Sequence, residues 1–260
     1  MKVINLSSGS DGNLTYIETE HSRILVDVGL SCKETEKRLE LLNVSAKDID
    51  AILVTHEHSD HIKGIDVLSK KYNLPVYAHN DVWATLYDKL QRVPDSDKKI
   101  FTEDFALNDL IIKPVEVPHD VKCFGYSFVE NDKKISILTD LGHTDEKIFN
   151  AVKGSQLVYL EANHDLSMLR NNEKYSLSLK MRIAGKNGHL SNDASAEFIE
   201  KLVNSGTKQI ILSHLSTENN TPDLAFNYIT SILDEKGLHE GEYFKIDVAL
   251  TRPTTLFKLK

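Results

Sequence analysis

The chain of 260 residues is long enough for one large domain or two small ones, and it has the 40% hydrophobic and 27% charged residues of an ordinary globular protein. Its formal net charge of −8 argues against a protein that coats nucleic acid through bulk positive charge. No apolar run approaches the roughly 20 residues of a membrane span, and the N-terminus turns polar too soon for a signal peptide.

The N-terminal part of the chain is predicted to alternate short strands with helices. Strands are predicted from short apolar or alternating runs, and helices from apolar residues that recur at intervals of three and four. The predicted strands are Val3–Leu6, Leu14–Glu18, Arg23–Val26, Ala51–Val54 and Pro75–Ala78, and the predicted helices are Cys32–Leu42, Ile62–Tyr72 and Asp81–Leu90.

The C-terminal part is also predicted to alternate strands with helices. The predicted strands are Ile111–Val117, Gly125–Glu130, Ile135–Leu138, Gln156–Leu160, Gln209–Leu212, Tyr243–Val248 and Thr255–Leu259, and the predicted helices are Ala194–Val203 and Leu224–Leu233. Many strands interleaved with helices predict an α/β fold in which two sheets pack face to face with helices outside. Since no linker or low-complexity tract interrupts the chain, we predict a single domain over residues 1–260.

The densest group of chemically active residues is the run Thr-His-Glu-His-Ser-Asp-His at positions 55–61. It follows a predicted buried strand, and the side-chain period of two in a strand points His56 and His58 the same way. Asp60 and His61 are expected to turn in from the start of the next helix. Because imidazole and carboxylate are preferred ligands of zinc and other first-row metals, this run predicts a metal site.

Three more ligand-type residues stand at the ends of other predicted strands, namely His119, Asp140 and His214. With the first four they make seven, which suits two metal ions that share one carboxylate. We assign His56, His58 and His119 to the first metal, Asp60, His61 and His214 to the second, and Asp140 to both, together with a bridging hydroxide. Two metals about 3.5–4 Å apart acidify the bridging water and hold the oxygens of a displacement at phosphorus or carbonyl carbon.

The order HxHxDH followed by separate His, Asp and His resembles the metallo-β-lactamase superfamily, over essentially the whole chain. The resemblance implies an αββα four-layer sandwich of two mixed sheets and a hydrolase with two divalent metal ions, either zinc or manganese. The segments 8–13, 25–29, 139–142, 160–165 and 188–192 are similar to the YycJ/WalJ branch, whose members are described as DNA exonucleases that work from the 5′ end. The sequence departs from that branch at Asp11 and at Cys123-Phe124.

His189 resembles the histidine that protonates the leaving oxygen or steadies the phosphate in tRNase Z and PhnP phosphodiesterases, a role that suits a group poised near neutral pH. Asp60 and His189 are therefore the predicted catalytic residues. Glu173 is the only acid over residues 166–192, so this basic stretch reads as a phosphate-docking strip. The predicted substrate-binding residues are Lys180, Arg182, Lys186 and Asn13, and Asp27 is predicted to orient a ligand histidine.

We therefore predict a dinuclear-metal phosphodiesterase, a 5′→3′ DNA exonuclease, in which the bridging hydroxide attacks phosphorus and His189 acts as general acid. DNA is the predicted partner, with no membrane. The two cysteines form no CxxC motif, which favours the cytoplasm. Three alternatives stay open. They are an RNA or small-phosphodiester hydrolase similar to tRNase Z or PhnP, a lactonase or glyoxalase II-like thioesterase that needs neither His189 nor the basic residues, and a regulatory binding module without catalysis.

Overall fold

Two seven-stranded sheets and nine helices are present in the computed structural model, which describes residues 1–251 and 255–258. The strands are β1 (Lys2–Ser7), β2 (Leu14–Glu18), β3 (Arg23–Val26), β4 (Ala51–Leu53), β5 (Val76–His79), β6 (Lys98–Phe101), β7 (Phe105–Leu107), β8 (Leu110–Val117), β9 (Cys123–Glu130), β10 (Lys133–Leu138), β11 (Leu157–Glu161), β12 (Gln209–Ser213), β13 (Lys245–Val248) and β14 (Thr255–Lys258). The helices are α1 (Cys32–Glu40), α2 (Ser59–Ile62), α3 (Ile65–Tyr72), α4 (Asn80–Lys89), α5 (Glu146–Val152), α6 (Leu166–Asn171), α7 (Leu177–Ile183), α8 (Asn192–Asn204) and α9 (Pro222–Glu235).

The first sheet has the strand order β14-β1-β2-β3-β4-β5-β6. Its strands β1, β2 and β3 pair antiparallel through short connections, whereas β3, β4, β5 and β6 pair parallel. Helices α1 to α4 lie in the connections between the parallel strands, as a parallel crossover requires. The sheet is therefore mixed, and its parallel strands end at one edge.

The second sheet has the order β13-β12-β11-β10-β9-β8-β7 and is also mixed. Strands β10 to β13 are parallel neighbours, while β7 and β8 pair antiparallel. Helix α5 connects β10 to β11, helices α6 to α8 connect β11 to β12, and α9 connects β12 to β13. The carboxyl ends of β10, β11 and β12 consequently lie side by side.

The chain divides into two compact units. Unit 1 comprises Met1–Pro114, Phe128–Asn131 and Leu250–Lys260, and unit 2 comprises Val115–Ser127 and Asp132–Ala249. In unit 1 the fully buried Trp83 donates its indole N–H to the carbonyl of Lys99 (2.9 Å). In unit 2 the apolar faces of α8 and α9 join those of β10 to β12 in one core. The single-domain organisation over residues 1–260 stays a prediction.

The predicted helix Ile62–Tyr72 is found over Ile65–Tyr72 as α3, but its predicted start is wrong, because Ile62 ends the separate helix α2 and a turn at Gly64 lies between the two. The Gly64 N–H donates to the carbonyl of Val28 (2.8 Å), and a Cβ at Gly64 would lie 2.2 Å from the carbonyl oxygen of Leu30. The Gly64 N–H is therefore paired with the Val28 carbonyl and not within a helix, and the close approach of the Leu30 backbone leaves room only for glycine at this turn.

The sequence also missed five elements, namely β6, β7, α5, α6 and α7. Helix α7 has no buried residue and α6 has only Leu169, so neither presents the apolar periodicity on which helix prediction depends. The predicted final strand, Thr255–Leu259, is found as Thr255–Lys258, and Leu259 lies outside the described residues. Among residues 1–251 and 255–258, no helix has the length and apolar character needed to cross a membrane.

Candidate metal-binding clusters

The histidine-rich loop of unit 1 follows β4, as predicted. The rings of His56 and His58 lie with their centroids 4.6 Å apart, and those of His56 and His61 lie 4.1 Å apart. Asp60 and His61 belong to the short helix α2, and a carboxylate oxygen of Asp60 lies 3.5 Å from Nε2 of His61. The four predicted ligands of this loop therefore form one cluster, in which His56 and His61 are completely buried.

Asp27 holds this loop in place from the end of β3. One of its carboxylate oxygens accepts from the backbone N–H of Thr55 (2.9 Å), and the other accepts from the Thr55 hydroxyl (2.8 Å) and from Nδ1 of His61 (2.7 Å). The Thr55 hydroxyl also lies 3.0 Å from Nδ1 of His56. These contacts confirm the prediction that Asp27 orients a histidine of this loop.

Asn13, predicted to bind substrate, is buried against the loop. Its amide nitrogen donates to Nε2 of His61 (2.9 Å) and lies 3.3 Å from a carboxylate oxygen of Asp60. Its amide oxygen accepts from the backbone N–H of Gly9 (3.0 Å). In this arrangement Asn13 positions His61 and Asp60, and its role in binding substrate stays a prediction.

Gly29 is expected to be indispensable to the same loop, because a Cβ at this position would lie 1.7 Å from the carbonyl oxygen of Asp60 and 2.5 Å from the backbone nitrogen of Asn13. We expect Gly29→Ala to displace the Asp60 backbone, to lower the free energy of unfolding by about 1–3 kcal/mol, and to weaken metal binding. Titration with Mn²⁺ followed by calorimetry, and thermal unfolding, would measure the two effects.

Gly154→Ala is the matched control, since Gly154 has a φ of +80° and no atom within 4 Å of its added Cβ. It should lower stability through backbone strain alone and leave metal affinity unchanged. Equal metal affinity of Gly29→Ala and the natural protein would contradict this account of Gly29.

The second cluster lies in unit 2, at the carboxyl ends of the parallel strands β10, β11 and β12. Asp140 follows β10, Glu161 ends β11, and His214 follows β12. Ligand atoms of these three residues and of His189 all lie within 4.8 Å of one another. Because neighbouring parallel strands end at one edge, the topology itself brings together residues that are up to 74 positions apart.

Glu161 is the centre of this cluster and is completely buried. Its Oε1 accepts from Nδ1 of His189 (2.8 Å) and from Nδ1 of His214 (2.7 Å). Its Oε2 accepts from the backbone N–H groups of Leu141 (2.9 Å) and Leu190 (3.2 Å). One carboxylate thus orients two histidines and the two segments that carry Asp140 and His189.

Burial and the neighbouring charged groups shift the pKa values of Glu161 and His189 in opposite directions. Burial alone opposes ionisation of Glu161, but the charges and hydrogen bonds of His189 and His214 outweigh it and hold the pKa of Glu161 well below its usual value. Burial likewise opposes protonation of His189, yet the Glu161 carboxylate overcomes this and raises the pKa of His189. The Glu161 carboxylate therefore favours the protonated form of His189.

Sequence reasoning assigned no role to Glu161. The available signal was a single acidic residue at the end of an otherwise apolar strand, Leu157–Glu161. A carboxylate is rarely buried there without a partner, and its partners come from elsewhere in the chain. Its function is visible only once the fold has placed His189 and His214 beside it.

His119 and His189 line a cavity of about 150 Å³ in unit 2, together with Asp120, Leu179, Arg182, Ile183, Asn187 and Gly188. Nδ1 of His119 lies 3.2 Å from the carbonyl oxygen of Gly188, and its Nε2 lies 3.3 Å from a carboxylate oxygen of Asp120. The guanidinium of Arg182 reaches the other carboxylate oxygen of Asp120. A histidine pair and an arginine therefore face the same small space.

The predicted phosphate-docking residues Lys180, Arg182 and Lys186 lie on α7 or just after it. Arg182 lines the cavity, Lys186 is exposed, and the ammonium group of Lys180 donates to the carbonyl of Arg170 (2.7 Å). Their role in binding substrate stays a prediction.

Three residues that follow strands adopt the left-handed backbone region, which non-glycine residues seldom enter. Asp27, Asp140 and His214 have φ values of 58°, 60° and 54°. Each lies in one of the two clusters, where such strain is maintained by the surrounding structure and serves to aim a side chain.

The histidines of the clusters share a pattern that fits a divalent cation. In four of the predicted ligand histidines Nδ1 lies near an oxygen, from Thr55 for His56, Asp27 for His61, Gly188 for His119 and Glu161 for His214. Such partners orient a metal-ligating imidazole so that Nε2 is the nitrogen that would bind the metal, and at His61 an ion would displace the Asn13 amide, which donates to Nε2 (2.9 Å). The two clusters, rich in imidazole and carboxylate, therefore indicate binding of divalent metal.

Comparisons with known proteins agree with the binding of divalent metal. Residues 22–215 match the family model described as the β-lactamase superfamily domain. The chain is 38% identical over 244 residues to exodeoxyribonuclease YycJ of Bacillus anthracis, covering 93% of this chain and 92% of the relative. It is 40% identical over 248 residues to exodeoxyribonuclease WalJ of Streptococcus pneumoniae, covering 93% and 91%.

The crystal structure of the metallo-β-lactamase fold protein YhfI from Bacillus subtilis is similar with a TM-score of 0.72, at 16% identity, over 98% of this chain and 99% of that one. This likeness confirms the predicted α/β fold class. The identities above confirm the predicted YycJ/WalJ-like branch. The chain belongs to the β-lactamase superfamily domain family, and within it to the YycJ/WalJ-like branch.

Proposed function

We propose that the chain is a metal-dependent DNA exonuclease that degrades DNA from its 5′ end. The observation that carries the proposal is similarity over more than nine-tenths of the chain to two proteins named exodeoxyribonuclease. The two clusters supply the donor set that such an enzyme uses. The cytoplasm, favoured by the cysteine content, is part of the same proposal.

The ligand assignment is carried into this proposal. His56, His58 and His119 would hold one ion, Asp60, His61 and His214 the other, and Asp140 both, and zinc and manganese each suit these donors. When bound, the two ions supply a nucleophilic water and neutralise charge on the phosphate oxygens. Asp27 and Glu161 keep His61 and His214 in position through their hydrogen bonds with Nδ1, and the Asn13 amide, which donates to Nε2 of His61, would yield that nitrogen to the ion.

His189 is proposed to give a proton to the leaving 3′-oxygen. The Glu161 carboxylate accepts from its Nδ1 at 2.8 Å, which orients the ring and stabilises its positive charge. The same ring lines the cavity, so its other nitrogen is available to a group that enters there. Arg182 is proposed to bind the phosphate in that cavity, in exchange for its present partner Asp120.

The test is digestion of duplex DNA labelled at the 5′ or the 3′ end by protein that has been stripped of metal and reloaded separately with Mn²⁺ or Zn²⁺. We expect mononucleotides to be released from the 5′ end only with metal, and not by Asp60→Ala. Absence of cleavage with either metal, on duplex or single strands, would overturn the proposal. RNA, small phosphodiesters and thioesters would then be the substrates to examine.

A further inference from the structure

Helix α7 presents two large apolar side chains to solvent on one face. Leu177 and Met181 are four residues apart, which places them on the same side of a helix, and they are 73% and 67% exposed. No residue of this helix is buried. Two neighbouring exposed apolar side chains form a small apolar patch, and such a patch beside a proposed active site is a candidate contact surface for a partner.

Other residues of the same helix face the cavity of unit 2. Leu179, Arg182 and Ile183 line it together with His119 and His189. The carbonyl of Ile183 also accepts from the backbone N–H of His189 (2.9 Å), so the end of α7 is tied to the proposed proton donor. Helix α7 therefore borders the cavity that leads to His189.

The size of the cavity limits what can enter. A volume of about 150 Å³ is below the roughly 300–1,000 Å³ of a typical small-molecule pocket, which suits one phosphodiester group better than a base pair. If the substrate is duplex DNA, its strands must be parted outside the cavity before one backbone reaches His189.

The positively charged residues in and around α7 favour a polyanion as the partner. Residues 166–192 contain five Lys or Arg residues and one acid, in a chain whose net charge is −8. Lys174 is paired with Glu218 (2.7 Å), and Arg182 with Asp120, while Arg170 and Lys186 are exposed. An apolar pair flanked by cations matches the end of a nucleic-acid duplex, with bases facing the apolar pair and phosphates facing the cations.

We propose that Leu177 and Met181 form a wedge that stacks against the terminal base pair of duplex DNA and parts its strands, so that one strand alone enters the cavity beside His189. This inference rests on the proposed exonuclease function. Apolar side chains open base steps in the same way when proteins insert them between stacked bases.

The experiment compares the natural protein with the double variant Leu177→Gln/Met181→Gln, because glutamine preserves helix propensity at exposed positions. Leu41→Gln is the matched control, since Leu41 is also 73% exposed but lies in unit 1. The first readout needs no hydrolysis. A duplex with 2-aminopurine in its 5′-terminal pair is titrated with metal-free protein, and its fluorescence reports unstacking of that pair.

The second readout is the rate of digestion, with Mn²⁺, of a blunt duplex and of the same duplex with three mismatched terminal pairs. We expect the natural protein and Leu41→Gln to raise the fluorescence, and the double variant to bind without raising it. We expect the double variant to digest the paired end about 10-fold or more slowly, and the mismatched end within about 2-fold of the natural rate.

A natural protein that produces no rise in fluorescence, or a double variant that produces the full rise, would overturn the wedge. So would an equal loss of rate on paired and mismatched ends. If the natural protein digests mismatched and paired DNA and only the wedge results fail, the exonuclease function stands. If it digests neither, the exonuclease function fails, while the fluorescence still decides whether α7 parts a duplex end.

Discussion

Glu161→Gln is expected to weaken the affinity for divalent metal by about 10–100-fold, the effect typical of losing a carboxylate that orients a metal-ligating histidine. Ionised Glu161 accepts hydrogen bonds from two histidines and from two backbone N–H groups. An amide in its place would have only one oxygen to accept them, and its NH₂ group would face donors. His214 and His189 would lose their common orientation, and a buried donor would be left unsatisfied.

The measurement is calorimetric titration of metal-stripped protein with Mn²⁺, alongside thermal unfolding to show that the variant is folded. Glu146→Gln removes a charge from an exposed position of the same unit and should leave the affinity unchanged. If Glu161→Gln is too unstable to purify, Glu161→Asp keeps the charge on a shorter side chain and should show an intermediate loss. An affinity equal to that of the natural protein in both Glu161 variants would contradict the role we assign to this carboxylate.

His189→Asn is expected to lower kcat on DNA by about 10²–10⁴-fold while metal content stays unchanged, which is the usual contribution of a general acid. His189 lines the cavity through one side of its ring and donates to Glu161 through the other. Asparagine can preserve the hydrogen bond to Glu161 but has no proton to transfer to a leaving alkoxide. Loss of catalysis without loss of metal would separate this role from that of the ligands.

A substrate with a better leaving group makes the test sharper. Bis(p-nitrophenyl) phosphate releases a stable phenolate and needs little help from an acid, so His189→Asn should lose less than about 10-fold in kcat on it. His239→Asn, at an exposed turn histidine, is the control and should match the natural protein on both substrates. An equal loss on DNA and on the activated ester would show that His189 acts by other means, such as binding the phosphate.

Much of the fold was predictable because apolar periodicity records which faces are buried. Strands β2 and β3 have the bounds predicted from sequence, and the buried helices α8 and α9 differ only at their ends. Helices α6 and α7 bury almost no side chains, so their sequences lack the apolar periodicity that predicts a helix. The break between α2 and α3 was equally hidden, since Gly64 is required by the approach of the Leu30 backbone, a segment distant in sequence.

The seven candidate ligands were recognisable from the sequence by itself, since histidine and aspartate are concentrated in one loop and at the ends of apolar strands. The tertiary structure alone decided what holds them. Glu161 gains its importance only because parallel pairing of β10, β11 and β12 brings their ends together, and Asn13, predicted only to bind substrate, is also a buried partner of His61. Local patterns encode which residues can bind a metal, whereas the hydrogen bonds that orient His61, His119 and His214 join positions 34 to 69 residues apart and depend on the complete fold.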